Sequence, residues 1–91
     1  MNKGELVDAI AARADVTKKS AEQILTAALD VIGETVASGD KVTLVGFGVF
    51  EARDRQPRQG RNPSTGELVE IPAARVPRFA PGKGFKEKVS A

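Results

Sequence analysis

The chain has 91 residues, with 14 Lys and Arg against 12 Asp and Glu, no Cys and no His. This length corresponds to a single small domain, whose hydrophobic core provides limited stability by itself. Without Cys and His, neither disulfide bridges nor the usual zinc sites can add to that stability. A second subunit is the remaining common support, so we expect an obligate dimer.

Charge is divided unevenly along the chain. Residues 1–52 contain five Lys and Arg against eight Asp and Glu, a net charge of −3, whereas residues 53–91 contain nine against four, a net charge of +5. A basic half of this kind favours a polyanionic partner, and nucleic acid is a better candidate for this partner than a membrane surface. No apolar run approaches the roughly 20 residues that span a bilayer, and no signal-peptide pattern is present. We therefore expect a soluble, cytoplasmic protein without a membrane partner.

Two amphipathic helices are predicted first. Asn2 and Glu5 have the spacing of a helix N-cap and its third residue, and apolar residues at helical spacing then predict a helix over 3–14. A second apolar stripe predicts a helix from about 18 to 38, capped by Thr17 and ended by Gly39. This stripe is wide, which indicates contacts both with the first helix and with a partner subunit.

Strands follow the helices. Residues 41–45 alternate and are rich in β-branched side chains, and Gly46-Phe47-Gly48 forms a tight connection to a second strand at 49–52. Phe47 and Phe50 are expected in the core rather than stacked on bases. Near the end of the chain, Phe79 returns to the core, and a last helix over 83–89 buries Phe85 and Val89.

Between these core segments lies a polar stretch, residues 53–75, that cannot bury itself. Four arginines occur within nine residues, at positions 53, 55, 58 and 61, with Asp54 as the only acid among them. The pattern favours a projecting β-hairpin arm that presents guanidinium groups to phosphates, with a tip at 60–66 and a return strand at 67–72 continuing through 73–76. A disordered basic loop is the alternative.

Alternation along the arm predicts which side chains share a face. Arg53 and Arg55 lie on one face by the period of two. A bulge at Pro57 would shift the alternation and bring Arg58 onto that face. Residues 53–62 of an extended strand reach about 30 Å, close to one turn of duplex DNA at about 34 Å. Pro63 at the tip is either a wedge between base pairs or a plain turn residue, and the residues alone leave both open.

Catalysis is not expected. The chain lacks Cys, His and Tyr, its carboxylates are scattered over helix faces, and no complete phosphate-binding glycine motif follows Gly46-Phe47-Gly48. We expect no enzymatic activity, no cofactor and no metal.

The run from Gly46-Phe47-Gly48-Val49-Phe50 to Gly60-Arg61-Asn62-Pro63-Ser64-Thr65-Gly66 resembles the signature of the HU/IHF family of bacterial DNA-bending proteins. The similarity extends over essentially the whole chain, and within the family it is closer to the HU branch than to IHF. The resemblance implies an α+β fold and an intertwined homodimer, with a helical base, a three-stranded antiparallel sheet, a long protruding β-ribbon arm and a C-terminal helix. Residues 1–91 would form one domain, in which 1–52 supply the dimerisation base and first strands, 53–75 the DNA-binding arm, and 76–91 the return strand and last helix.

The resemblance also implies the binding residues. In this family a proline at the tip of the arm inserts between base pairs, and it matches Pro63. The cations of the family's arm match four arginines. Further matches lie next to the proline, on the return strand and outside the arm. The implied DNA-binding set is Arg53, Arg55, Arg58, Arg61, Asn62, Pro63, Arg75, Lys3, Lys83 and Lys86.

The function that the family implies is architectural. Such a protein binds double-stranded DNA through the minor groove with little sequence specificity, bends it by proline wedging, prefers bent, nicked or flexible DNA, and compacts or stabilises the nucleoid. An IHF-like sequence-specific bending factor is the nearer alternative, and a protein-interaction scaffold with a basic arm is the other. RNA remains open as a secondary ligand.

Overall fold

The computed structural model describes residues 1–91. The elements in chain order are α1 (Lys3–Ala14), α2 (Lys18–Ala37), β1 (Val42–Leu44), β2 (Gly48–Arg55), β3 (Arg58–Arg61), β4 (Leu68–Ile71), β5 (Ala74–Pro81) and α3 (Lys83–Ser90). They confirm the α+β class, with one three-stranded and one two-stranded antiparallel sheet. The chain divides into two compact units, Met1–Glu34 and Thr35–Ala91. The single domain spanning residues 1–91 stays a prediction.

The start of each of the first two helices is fixed by a polar side chain. Asn2 Oδ1 accepts a hydrogen bond from the Glu5 backbone N–H at 2.9 Å, which confirms the predicted cap of α1. Thr17 Oγ1 accepts one from the Ser20 N–H at 3.1 Å at the start of α2. Between the helices, Asp15 adopts the left-handed conformation with φ of 55°, which ends α1.

The core of the helical unit is small. Its buried apolar residues are Val7, Ala11 and Ala21, with Ile10 and Leu25 packed against them. Several large apolar side chains of α2 stay open to solvent, namely Ile24 at 63%, Leu29 at 52% and Val31 at 59% exposure. The wide stripe predicted for α2 is therefore only partly covered within one chain.

The last turn of α2 ends in a Schellman motif. Gly39 has φ of 97°, its N–H donates to the Val36 carbonyl at 3.0 Å, and the Asp40 N–H donates to the Thr35 carbonyl at 3.2 Å. A residue with a Cβ is strained at this φ, which explains the glycine. Gly39 thus ends the helix as predicted, with Ala37 as the last helical residue.

The three-stranded sheet has the order β1-β2-β5. Phe50 pairs with Phe79 across β2 and β5, and their ring centroids lie 4.8 Å apart. Phe47 joins this aromatic cluster and meets Phe85 edge-to-face at 5.1 Å. Phe50 packs in the cluster as predicted, whereas Phe47 contacts the cluster but is still 42% exposed, so it is only partly enclosed by the core. Gly48 is buried beside them, because a Cβ there would lie 2.6 Å from the Phe79 ring.

Two expectations about apolar residues are wrong for the chain by itself. The predicted first strand includes Val45, but β1 ends at Leu44, and Val45 is 99% exposed in the turn that leads to Gly46. Helical spacing predicts that Val89 is buried with Phe85, yet it is 73% exposed. Val89 lies in the last turn of α3, one residue before the helix ends at Ser90, so helical spacing alone does not bring it against a neighbour.

Candidate nucleic-acid interface

The arm is a two-stranded antiparallel ribbon with one interruption. Its inner part is the end of the β2–β5 ladder, where Arg55 pairs with Ala74, and its outer part is the β3–β4 ladder, which begins where Arg58 pairs with Ile71. Gln56 and Pro57 on one strand, and residues 72–73 on the other, lie between the ladders. Proline has no N–H to donate, so Pro57 and Pro72 account for the break.

No residue is inserted at this break. Two residues lie between the paired residues Arg55 and Arg58 on one strand, and two lie between Ile71 and Ala74 on the other. The sequence allowed an edge position or a bulge at Pro57, and the bulge, with two residues opposite one, is absent. The alternation of side chains continues through the break, and Arg58 lies on the face opposite to that of Arg53 and Arg55.

The pairing register defines two faces of the β2–β5 pair. The aromatic face carries Phe50 and Phe79, and Asp54 opposite Arg75 extends it onto the arm. The other side, which we call the arginine face, carries Arg53, opposite Val76, and Arg55, opposite Ala74. Both arginines are exposed.

Arg78 also belongs to the arginine face, and the sequence prediction missed it. It pairs with Glu51, two positions along β2 from Arg53, and it is exposed. The sequence contained a signal for Arg78, because side chains alternate along a strand. If Phe79 faces the aromatic cluster, the adjacent Arg78 must face the opposite side.

The outer ribbon also has two different sides. Arg61, opposite Leu68, alternates with Gly60, opposite Val69, so Arg61 follows the arginine face by register. Arg58 shares the other side with Gly60, where a Cβ on Gly60 would lie 3.2 Å from Ile71 Cδ1. The four arm arginines are all exposed, but they do not form one row.

The tip is held by hydrogen bonds around Asn62. Its N–H donates to the Glu67 carbonyl at 2.8 Å, and its carbonyl accepts from the Gly66 N–H at 2.7 Å. Its side-chain Oδ1 accepts from the Ser64 N–H at 2.9 Å. Asn62 thus builds an Asx turn around Pro63, and Pro63 is exposed at the end of the ribbon.

The remaining implied residues lie outside the arm or at its root. Lys3, in the helical unit, donates from Nζ to Thr26 Oγ1 at 3.1 Å. Lys83 and Lys86 lie in the first turn of α3 and are exposed, with Lys83 Nζ 3.9 Å from a Glu87 carboxylate oxygen. The helix dipole does not favour cations at the N-terminus of a helix, so it gives no reason for lysines at these positions of α3.

Arg75, on the return strand, is engaged by the protein itself. Its Nη1 donates to the Ala37 carbonyl at 3.4 Å, and its Nε lies 4.0 Å from Asp54 Oδ1.

The chain combines a helical unit that exposes apolar surface with an antiparallel sheet that extends into an arginine-rich ribbon. These two features are typical of DNA-binding proteins with β-ribbon arms. The family model described as bacterial DNA-binding protein matches residues 1–90, and the chain belongs to this family. It is a family of DNA-binding proteins rather than of enzymes. The membership confirms the resemblance drawn from the sequence.

Individual relatives agree with the family model. The chain is 67% identical over 90 residues to DNA-binding protein HU of Nostoc sp., covering 99% of this chain and 96% of the relative. It is 48% identical over 90 residues to DNA-binding protein HU 1 of Bacillus subtilis, covering 99% and 98%.

Solved structures show the same fold. An Anabaena HU–DNA cocrystal structure has a TM-score of 0.91 at 67% identity, with 99% of this chain and 98% of that chain covered. HU from Thermotoga maritima has a TM-score of 0.70 at 39% identity, with 98% of each chain covered. None of the three helices here has the length and apolar character to cross a membrane.

The Asx turn at the tip gives a direct test of the role of Asn62. Asn62→Ala removes the acceptor of the Ser64 N–H, and loss of one such hydrogen bond, about 1 kcal/mol, should speed exchange of that amide roughly fivefold. Asn62→Asp keeps an acceptor oxygen at the same position and serves as the matched control, with exchange close to that of the wild type. The exchange rate of the Ser64 amide is measured by NMR on the free wild-type protein and on both variants. Equal exchange in all three proteins would contradict the assignment of Asn62 as the residue that holds the tip.

Proposed function

We propose that the chain is an architectural protein that binds double-stranded DNA with little sequence specificity, bends it, and in the cell compacts or stabilises the nucleoid. The observation that carries this proposal is the arginine face, which leads from the sheet along the ribbon to an exposed proline. Arg53, Arg55 and Arg78 are exposed on it, and Arg61 follows it by register. Guanidinium groups pair with phosphate oxygens irrespective of base sequence.

The minor groove is the proposed docking site of the arm. From residue 53 to residue 62 the ribbon reaches about 30 Å, nearly one turn of the duplex. A two-stranded ribbon of this length can follow the groove, and a narrow minor groove attracts arginine through its enhanced negative potential. The Anabaena HU–DNA cocrystal structure supports DNA as the ligand class. Lys3, Lys83 and Lys86 are proposed to contact the phosphates that flank the groove.

Bending is assigned to Pro63. The Asx turn holds this rigid apolar ring outward at the end of the ribbon. Insertion of such a ring between base pairs costs a few kcal/mol per unstacked step, and contacts made along the bent duplex offset this cost. It follows that DNA already nicked or flexible should bind more tightly than intact duplex.

A homodimer is proposed as the functional unit. The buried apolar core of the helical unit consists of three residues, none larger than valine, whereas Ile24, Leu29 and Val31 remain more than half exposed. In the other unit Val45 and Val89 are also exposed, at 99% and 73%. A second copy of the chain would cover such surfaces and place two arms on one duplex.

Wedging is tested by binding to intact and nicked duplexes of the same sequence. The wild type should bind the nicked duplex at least about tenfold more tightly, because part of an unstacking cost of a few kcal/mol is already met. Pro63→Ala should reduce this preference. Ser64→Ala, which keeps the proline and the backbone donor of the Asx turn, should retain it. If the wild type bound both duplexes equally well, wedging by Pro63 would be ruled out.

The dimer is tested by thermal unfolding across a hundredfold dilution. Because association stabilises only the folded state, the midpoint should fall on dilution. Leu29→Ser, on the exposed apolar surface of α2, should lower the midpoint and increase its dependence on concentration, whereas its neighbour variant Asp30→Ser should change both little. A midpoint independent of concentration would indicate a stable monomer.

A further inference from the structure

We propose that Arg75 is a positioning residue that fixes the root of the arm to the last turn of α2, and that it is not one of the phosphate contacts. The inference rests on the proposed function, because the arm it would position is the proposed DNA-binding element. It departs from the assignment that the family resemblance implies for Arg75.

The first observation is the hydrogen bonding at the end of α2. The Thr35 carbonyl accepts from the Asp40 N–H and the Ser38 hydroxyl, and the Val36 carbonyl accepts from the Gly39 N–H. The next carbonyl, of Ala37, accepts from Arg75 Nη1 at 3.4 Å. A cation is favoured at the negative end of a helix dipole, so this is a suitable place for a guanidinium group.

The second observation is the space above Gly39. A Cβ on this residue would lie 2.7 Å from Arg75 Nη2, so the guanidinium group lies directly over the glycine. The residue that allows the chain to turn with φ of 97° therefore also leaves room for Arg75. The hydrogen bond to the Ala37 carbonyl and the position of Nη2 above Gly39 thus agree in placing the side chain on this turn.

The third observation is the ion pair with Asp54. The carboxylate of Asp54 is 86% exposed and lies 4.0 Å from Arg75 Nε, so solvent screens the attraction and the pair contributes little by itself. The pair is consistent with the orientation of the guanidinium group, in which Nε lies toward Asp54 on the arm and Nη1 toward the helix end. A planar guanidinium group can serve both partners at once, whereas the single ammonium of lysine cannot do so in the same geometry.

The pairing register separates Arg75 from the proposed DNA contacts. Arg75 pairs with Asp54 on the aromatic face, whereas Arg78, three residues later on β5, pairs with Glu51 on the arginine face. The two residues are of the same type on the same strand but on opposite faces. Arg78→Ala is therefore a matched control for Arg75→Ala. Fixing the arm root in the free protein would reduce the ordering that DNA binding requires.

The first test uses amide exchange in the free protein. In Arg75→Ala, the amides of Gly39 and Asp40 and of the arm root, residues 53–55 and 74–76, should exchange about two to five times faster, as expected for loss of a cation at a helix C-terminus. Arg75→Lys should recover only part of this protection, and Arg78→Ala should leave it unchanged. The proposal is overturned if Arg75→Ala and wild type exchange alike at these positions, or if Arg78→Ala has the same effect.

The second test uses the salt dependence of binding to an intact duplex. Arg75→Ala should weaken binding by a similar factor at every salt concentration, with the slope of log K against log salt unchanged. Arg78→Ala should reduce the magnitude of that slope by about one for each phosphate that is no longer neutralised.

A slope reduced in Arg75→Ala and restored in Arg75→Lys would make Arg75 a phosphate-binding residue and overturn the inference, while the proposed function would stand. If the wild type itself failed to bind DNA, the proposed function would fail, and the exchange measurement would still decide the role of Arg75.

Discussion

One antiparallel register runs from the sheet to the tip of the arm, and the rest of the molecule's chemistry depends on it. Gly48 pairs with Pro81 at one end and Arg61 with Leu68 at the other, and the two strands have equal numbers of residues across the proline break between the ladders. Because side chains alternate strictly along such a pair, the register decides which arginines face the same way. A slip of β5 by one residue would place Phe79 on the arginine face and an exposed residue such as Arg78 opposite Phe50.

The aromatic cluster anchors this register. Phe50 and Phe79 lie directly opposite each other in this register, and Gly48 leaves the room that the Phe79 ring occupies. The helical unit, by contrast, buries few large side chains of its own. The best packing in the chain thus lies at the base of the arm, whereas much of the apolar surface of α2 stays exposed.

Much of this architecture could be predicted from the sequence because the signals were local. Caps at Asn2 and Thr17, helical periodicity, and Gly39 at a helix end each depend on neighbours within a few residues. The arm was predicted for the same reason, since a polar, arginine-rich stretch cannot be buried. Val89 was not predicted correctly, because its burial depends on what packs against the last turn, and spacing does not contain that information.

The site was predicted less completely than the fold. Alternation placed Arg53 and Arg55 on one face correctly, but it could not assign the face of Arg58, because Pro57 allowed either an inserted residue or an uninterrupted register. Arg78 was overlooked among core residues, although alternation with Phe79 pointed to it. The contact of Arg75 with the end of α2 joins residues far apart in sequence, and such a contact follows from tertiary structure alone.

The central claim is that DNA binding is driven by phosphate neutralisation along the arginine face. The most direct measurement is the affinity of the wild-type protein for one intact duplex as salt is raised from 50 to 200 mM. If a dimer neutralises roughly 8–10 phosphates, affinity should fall by about 10³–10⁵-fold over this range. The double variant Arg55→Ala with Arg61→Ala should show a shallower fall. An affinity that changed little with salt would contradict the account.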